Sequence, residues 1–176
     1  MATQRNYTGY SGQVAVMSEL LFRQCNAAVP VIDVGMDVFA FRDDREDVAR
    51  IQVKAAQGTP YQQGGGYRAQ FNIPIKQLEA ADEPPLHYAL AVRLQDRWVS
   101  FLVIGRRRLW EHWKGGRPFG IENRKSGELA LQIKYRPDAD DPENLTVLCG
   151  DVELDDYLDA WDHLPPLRPL PTQRPR

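Results

Sequence analysis

At 176 residues and 43% apolar composition, the chain has the size of one globular domain with a core of its own. Its 24 acidic residues slightly outnumber its 22 basic ones, and the net charge of −2 excludes a global basic field. Any nucleic-acid binding must therefore use a local patch.

The two cysteines, Cys25 and Cys149, lie far apart and show no metal-ligand spacing. They are expected as buried, reduced thiols of a cytosolic protein. No apolar run approaches the roughly 20 residues of a membrane span. Residues 1–10 are polar and lack the apolar stretch of a signal peptide. A cytoplasmic protein with no membrane contact is expected.

Val14, Met17, Leu21 and Cys25 recur at three and four residues, which predicts a first helix over 11–25 with Ser11 as N-cap. Glu19 sits at the edge of that stripe. Pro30 pushes Val29 toward extended geometry, and Val31-Ile32 reads as a brief strand. After a turn at Asp33-Val34-Gly35, a strand is expected from Asp37 to Phe41, with Val38 and Ala40 on one face. The charged run 42–47 reads as a solvated hairpin connection to a second strand over 48–55. Residues i and i+2 of a strand share a face, so Gln52 and Lys54 should project together, with Val53 opposite.

The segment 57–68 holds Gly58, Pro60, Gly64, Gly65 and Gly66 and predicts a mobile loop without strand or helix. Tyr61, Gln62, Gln63, Tyr67 and Arg68 are available there for substrate contact. No Gly-Lys-Ser/Thr follows, so it is not a P-loop. A third strand is expected over 67–75 and a short helix over 75–81. A strand over 86–94 should turn at Gln95-Asp96-Arg97 into an apolar central strand over 98–104. Arg106-Arg107-Arg108-Leu109-Trp110 opens a helix. Its interleaved Arg and Trp suit a phosphate backbone and bases, although Trp110 and Trp113 at i and i+3 suit packing on the sheet better.

A polar Gly-rich connection is expected over 115–127, then strands over 129–135 and 145–149. Leu154, Tyr157, Leu158, Trp161 and Leu164 hold helical spacing after Asp151. Residues 165–176, with five prolines and three arginines, read as an extended tail to a domain over 1–164.

A helix with Glu19, a strand from Asp37 and Gln52-Val53-Lys54 follow in an order that resembles the core of the PD-(D/E)XK nuclease superfamily. The run from Gly12 through Gln13 to Leu21, the run from Pro30 to Asp37, and Ile51-Gln52-Val53-Lys54 are similar to its Holliday-junction-resolvase and homing-endonuclease branch. The resemblance covers about the first third of the chain. It implies an α/β fold with a restriction-endonuclease-like core, a mixed central sheet flanked by helices.

It also implies a catalytic set of Glu19, Asp37, Gln52 and Lys54. A Mg²⁺ or Mn²⁺ ion would be held by the Asp37 carboxylate, the Gln52 side-chain oxygen and the Val53 carbonyl, with Lys54 on the phosphate or the attacking water. Asp33 is the other candidate acid, but Asp37 begins the strand that pairs with Gln52 and Lys54, and Asp33 suits the turn. Gln62, Gln63, Tyr67, Arg68, Arg106 and Arg107 are the candidate DNA contacts. The implied activity is Mg²⁺-dependent endonucleolytic hydrolysis of DNA, and a homodimer is expected because two strands need two sites. The neutral Gln52 and the net negative charge motivate a second reading, a non-cleaving DNA-binding or regulatory module. A third is an interaction subunit of a defence system that binds through the Pro-rich tail.

Overall fold

The computed structural model describes residues 3–32, 35–63, 65–138, 140–141 and 144–169. Asp33 lies outside them, as do residues 170–176, so the tail reading falls largely outside the described residues. In chain order the elements are α1 (Gln4–Phe22), β1 (Asn26–Ala28), β2 (Val38–Phe41), β3 (Val48–Gln57), β4 (Thr59–Pro60), β5 (Tyr67–Pro74), α2 (Ile75–Leu78), β6 (Leu86–Leu94), β7 (Arg97–Gly105), α3 (Arg106–Lys114), β8 (Ile121–Asn123), β9 (Glu128–Pro137), β10 (Leu145–Cys149) and β11 (Val152–Glu153). Three 3₁₀ turns follow, Asp155–Tyr157, Trp161–His163 and Pro165–Leu167. The fold is mixed α/β and mostly strand. No described helix is long and apolar enough to cross a membrane.

The first sheet has the order β1-β2-β3-β6-β7 and is mixed: β3 and β6 run parallel, and its other pairs are antiparallel. The crossover that a parallel pair requires is supplied by β4, β5 and α2. The second sheet is antiparallel, with order β11-β10-β9-β5-β4 and β8 paired to β9. Alternation along β3 sorts its side chains. Ala49, Ile51 and Val53 pack with Val16 and Leu20 of α1, whereas Ala56 packs toward Phe71, Leu131 and Tyr135 of the second sheet. The layers are therefore helix, mixed sheet, antiparallel sheet. A second sheet, not helices, covers the far face of the mixed sheet.

Several expectations are corrected here. α1 starts at Gln4, seven residues ahead of Ser11, so Ser11 is inside the helix and gives its hydroxyl hydrogen to the Thr8 carbonyl at 3.1 Å. Gly12 is tolerated mid-helix because α1 crosses β3 there. A Cβ on Gly12 would stand 2.4 Å from that of Ala55. The strand expected at Val31-Ile32 forms instead at Asn26–Ala28, and both residues are exposed.

The Gly-rich loop is narrower than expected, with a two-residue strand pair of β4 against β5 inside it. The 115–127 connection likewise holds β8. β7 is not central but the last strand of its sheet. Its free edge is covered by the 155–164 segment, through a bridge between Leu102 and Leu158 and a 2.7 Å bond from Asp159 N–H to the Phe101 carbonyl.

That segment is also not the expected helix. Leu154 is buried between the sheets, whereas Trp161 and Leu164 are buried on the α1 side. A single helix face cannot serve two cores on opposite sides of a sheet. The chain instead wraps the edge in 3₁₀ turns, with Asp159 at φ 49°.

Candidate functional site

The site begins where β2 stops. Val38 pairs with Ile51, and Asp37 N–H donates to the Ile51 carbonyl at 2.9 Å. Beyond that point β3 continues without β2. In a strand the N–H and C=O of one residue point the same way and alternate between residues. Val53 therefore turns both groups toward the side that β2 has vacated. Its N–H donates to Asp37 Oδ2 at 2.7 Å, and its carbonyl faces the same opening.

Gln52 Nε2 also donates to Asp37 Oδ2. Gln52 Oε1 accepts from Gln77 Nε2 at 3.0 Å, Gln77 Nε2 also reaches the Gly35 carbonyl at 2.8 Å, and Tyr88 Oη donates to Gln77 Oε1 at 3.0 Å. Burial pushes the Tyr88 phenol far above the ordinary tyrosine range, so it stays a donor. The chain of bonds runs one way, from Tyr88 through Gln77 and Gln52 to Asp37. It holds the Gln52 nitrogen toward Asp37 and turns its oxygen away. Gln52 therefore does not offer its side-chain oxygen to a cation in this arrangement, contrary to the expected ligand set. The Gln13 amide of α1 approaches from the other side and donates to the Asp37 carbonyl at 2.7 Å.

Asp37, Gln52, Val53 and Lys54 line one cleft of about 980 Å³. Asn6, Tyr10 and Gln13 of α1 contribute to it, and so do Arg68, Gln70 and Asn72 of β5 and Glu128 and Gln132 of β9. Its formal charges balance: Asp37 and Glu128 against Lys54 and Arg68. Seven amide side chains share the lining, so the wall offers donors and acceptors in comparable number.

Of the expected site residues, Asp37, Gln52, Val53, Lys54 and Arg68 are brought together. Glu19 is not. It pairs with Arg23 at 2.5 Å, and the Arg23 guanidinium stacks 5.0 Å from the Trp161 ring. The helix residue that reaches Asp37 is Gln13. Gln62 and Gln63 lie exposed off the cleft wall. Tyr67 is buried, its ring stacked on Tyr135 at 4.5 Å. Arg106 is 6% exposed and held by Asp82 and by the Gln77 and Ala81 carbonyls. Arg107 pairs with Glu111 at 3.1 Å on a different surface. Trp113 packs on the core edge and Trp110 is partly exposed, so α3 acts chiefly as a structural helix.

Gln13, Gln77 and the β5–β9 amides were not singled out from the sequence. A signal for Gln13 existed. A glycine inside a helical pattern marks a close backbone approach, and Gly12 marks the face that meets β3. Comparison with family models, curated proteins and solved structures finds no match to this chain.

Proposed function

We propose that the chain is a PD-(D/E)XK-type endonuclease that hydrolyses phosphodiester bonds in DNA with Mg²⁺ or Mn²⁺. One observation carries the reading: Asp37, just ahead of β2, and the Val53 backbone and Lys54 of the adjacent β3 line one cleft large enough for several nucleotides' worth of backbone. A mixed sheet with α1 on one face supports the restriction-endonuclease-like core, to which the second sheet is an addition.

The donor chemistry fits a hard cation. Asp37 supplies a carboxylate and Val53 a carbonyl, and Mg²⁺ is commonly held by one or two carboxylates, waters and substrate phosphate. Among the described residues no group of three or more His, Cys, Asp or Glu is clustered as a metal site. The expected cation is therefore one that the phosphate helps to hold. When bound, it supplies Lewis-acid charge and an acidified water. Lys54 places positive charge beside the phosphate. Arg68 holds the backbone at the far wall, and the Gln70, Asn72 and Gln132 amides face the nucleotides. Gln52 and the Val53 N–H fix the carboxylate, and Gln13 holds the Asp37 backbone carbonyl, without adding negative charge, which keeps the site approachable to a polyanion. The test is incubation of plasmid and branched DNA with Mg²⁺ or Mn²⁺: cleavage is expected, and Asp37→Ala and Lys54→Ala should abolish it.

The amide ring around Asp37 favours one alternative, a module of the same fold that binds DNA without cutting it. With the Gln52 oxygen bound to Gln77, Asp37 is the carboxylate that Gln52 and the Val53 N–H contact among the described residues. Salt-sensitive binding that ignores divalent cations, with no cleavage, would favour this reading.

A further inference from the structure

The amide relay that ends on Asp37 has a direction, and two contacts at its far end set it. Gln77 Nε2 donates to the Gly35 carbonyl at 2.8 Å, and a carbonyl can only accept. Tyr88 Oη donates to Gln77 Oε1 at 3.0 Å from a side chain that is 0% exposed, so its hydrogen is cut off from bulk water. Together they hold the Gln77 nitrogen toward Gln52, whose Oε1 accepts from it at 3.0 Å. Gly35 has a φ of 87°, and a Cβ there would stand 3.3 Å from Gln77 Nε2, so a side chain at that position would press on the amide. The backbone behind Gln77 is held as well. Arg106 Nη1 donates to the Gln77 carbonyl at 3.4 Å, and the same guanidinium pairs with Asp82 at 3.0 Å.

We infer that Gln77 is a positioning residue for the Asp37 site: it fixes which end of the Gln52 amide faces the carboxylate, and so withholds the Gln52 oxygen from a cation. The inference rests on the reading that Asp37 takes a divalent cation. Presenting that oxygen requires Gln52 to turn. If Gln52 turns alone, its NH₂ group meets the NH₂ group of Gln77. If Gln77 turns with it, the Gln77 oxygen meets the Gly35 carbonyl, and Tyr88 must accept a hydrogen while its own loses its acceptor. Either route leaves buried polar groups unmatched, and that cost falls on cation binding. Asp37 Oδ2 meanwhile accepts from Gln52 Nε2 and from the Val53 N–H, two donors with which a cation on that oxygen must compete.

The direction of the effect separates this role from a structural one. A residue that merely propped up the site would weaken cation binding when removed. Removing a residue that holds Gln52 the wrong way round should tighten it. Gln77→Met keeps the length and the neutral charge and removes the amide. Tyr88→Phe removes one of the two contacts that orient Gln77.

The test is Mn²⁺ binding to the full chain without DNA, followed by the paramagnetic resonance of the free ion. Gln77→Met should bind Mn²⁺ at least about tenfold more tightly than the wild type, the scale on which groups behind the ligands tune metal affinity. Tyr88→Phe should shift it the same way by less, and carries the test if Gln77→Met does not fold. In a Gln52→Met background Gln77→Met should change nothing, and adding Asp37→Ala should abolish the tight binding. Unchanged or weaker binding in the folded variants overturns the inference, as does a gain that survives Gln52→Met or Asp37→Ala. Plasmid cutting by the wild type, read alongside, separates the two claims. Cutting without the gain refutes the role of Gln77 alone. The gain without cutting supports that role and refutes the nuclease reading. Neither cutting nor Mn²⁺ binding in any variant refutes both.

Discussion

Gly12 and His87 show how single residues are constrained by what packs on them. Replacing a mid-helix glycine with alanine ordinarily stabilises by about 1 kcal/mol. At Gly12 the sign should reverse. The added methyl meets Ala55 at 2.4 Å, against backbone that cannot move far, and overpacking costs about 1–3 kcal/mol. Denaturant unfolding of Gly12→Ala should show a lower midpoint; a raised one would mean that α1 does not approach β3 this closely.

His87 is buried on β6, and its pKa lies at about 4 against an ordinary 6.5, mainly because burial penalises the imidazolium and secondarily because Arg168 is near. Above pH 6.5 the ring is neutral folded or unfolded, and its full contribution is present. As pH falls from 6.5 toward 4, the unfolded chain gains a proton that the folded chain refuses, and stability is lost. The loss approaches about 3 kcal/mol at the acid end. Comparing unfolding at pH 7 and 4.5, the wild type should lose about 2 kcal/mol more than His87→Leu; parallel losses would contradict the assignment. At this scale the sequence was partly legible. Gln52 and Lys54 share a strand face and a cleft, as the period of two requires. The partner of Gln52 was not legible, because Gln77 arrives from the helix that ends the crossover, 25 residues on.

Elements were legible where one period served one core. β2, β3, β5, β6, β9 and β10 appear where alternation placed them, within two residues at most ends. They were misread where a segment serves two surfaces. The spacing of Leu154, Tyr157, Leu158, Trp161 and Leu164 suits a helix, but their burial is divided between the two cores that flank the mixed sheet. β7 looked central because both of its faces are covered, and coverage of faces does not report a missing neighbour at the edge. The 155–164 segment should therefore act as an edge guard. Trp161→Ala removes a ring buried against Phe101 at 5.5 Å and stacked under Arg23. It should cost about 3–5 kcal/mol. Amide exchange should then quicken along β7 more than along β3; equal protection in both strands would deny the segment that role.

For the whole molecule, the second sheet is what turns a strand end into a cleft. β5 and β9 carry their apolar side chains inward and present Arg68, Gln70, Asn72 and Gln132 outward, across from α1 and the end of β3. Of this wall only Arg68 was foreseen, because single polar residues on alternating strands look like any solvated face until the topology sets them opposite a carboxylate. With a net charge of −2 and two cations in the cleft, DNA binding should depend on few phosphate contacts and show a shallow salt dependence. Lys54→Ala and Arg68→Ala should each lower the slope of log K against log salt by about one, and Arg107→Ala should leave it unchanged. Equal effects from all three would place the DNA elsewhere.

The cleft as a nuclease site is tested most directly by DNA cleavage with Mg²⁺ or Mn²⁺, comparing wild type with Asp37→Ala and Lys54→Ala on supercoiled plasmid and on a branched duplex. The expected result is cation-dependent cutting by the wild type that falls at least about 100-fold in each variant. Cutting that persists in both variants would contradict the account, and so would a wild type that neither cuts nor binds DNA.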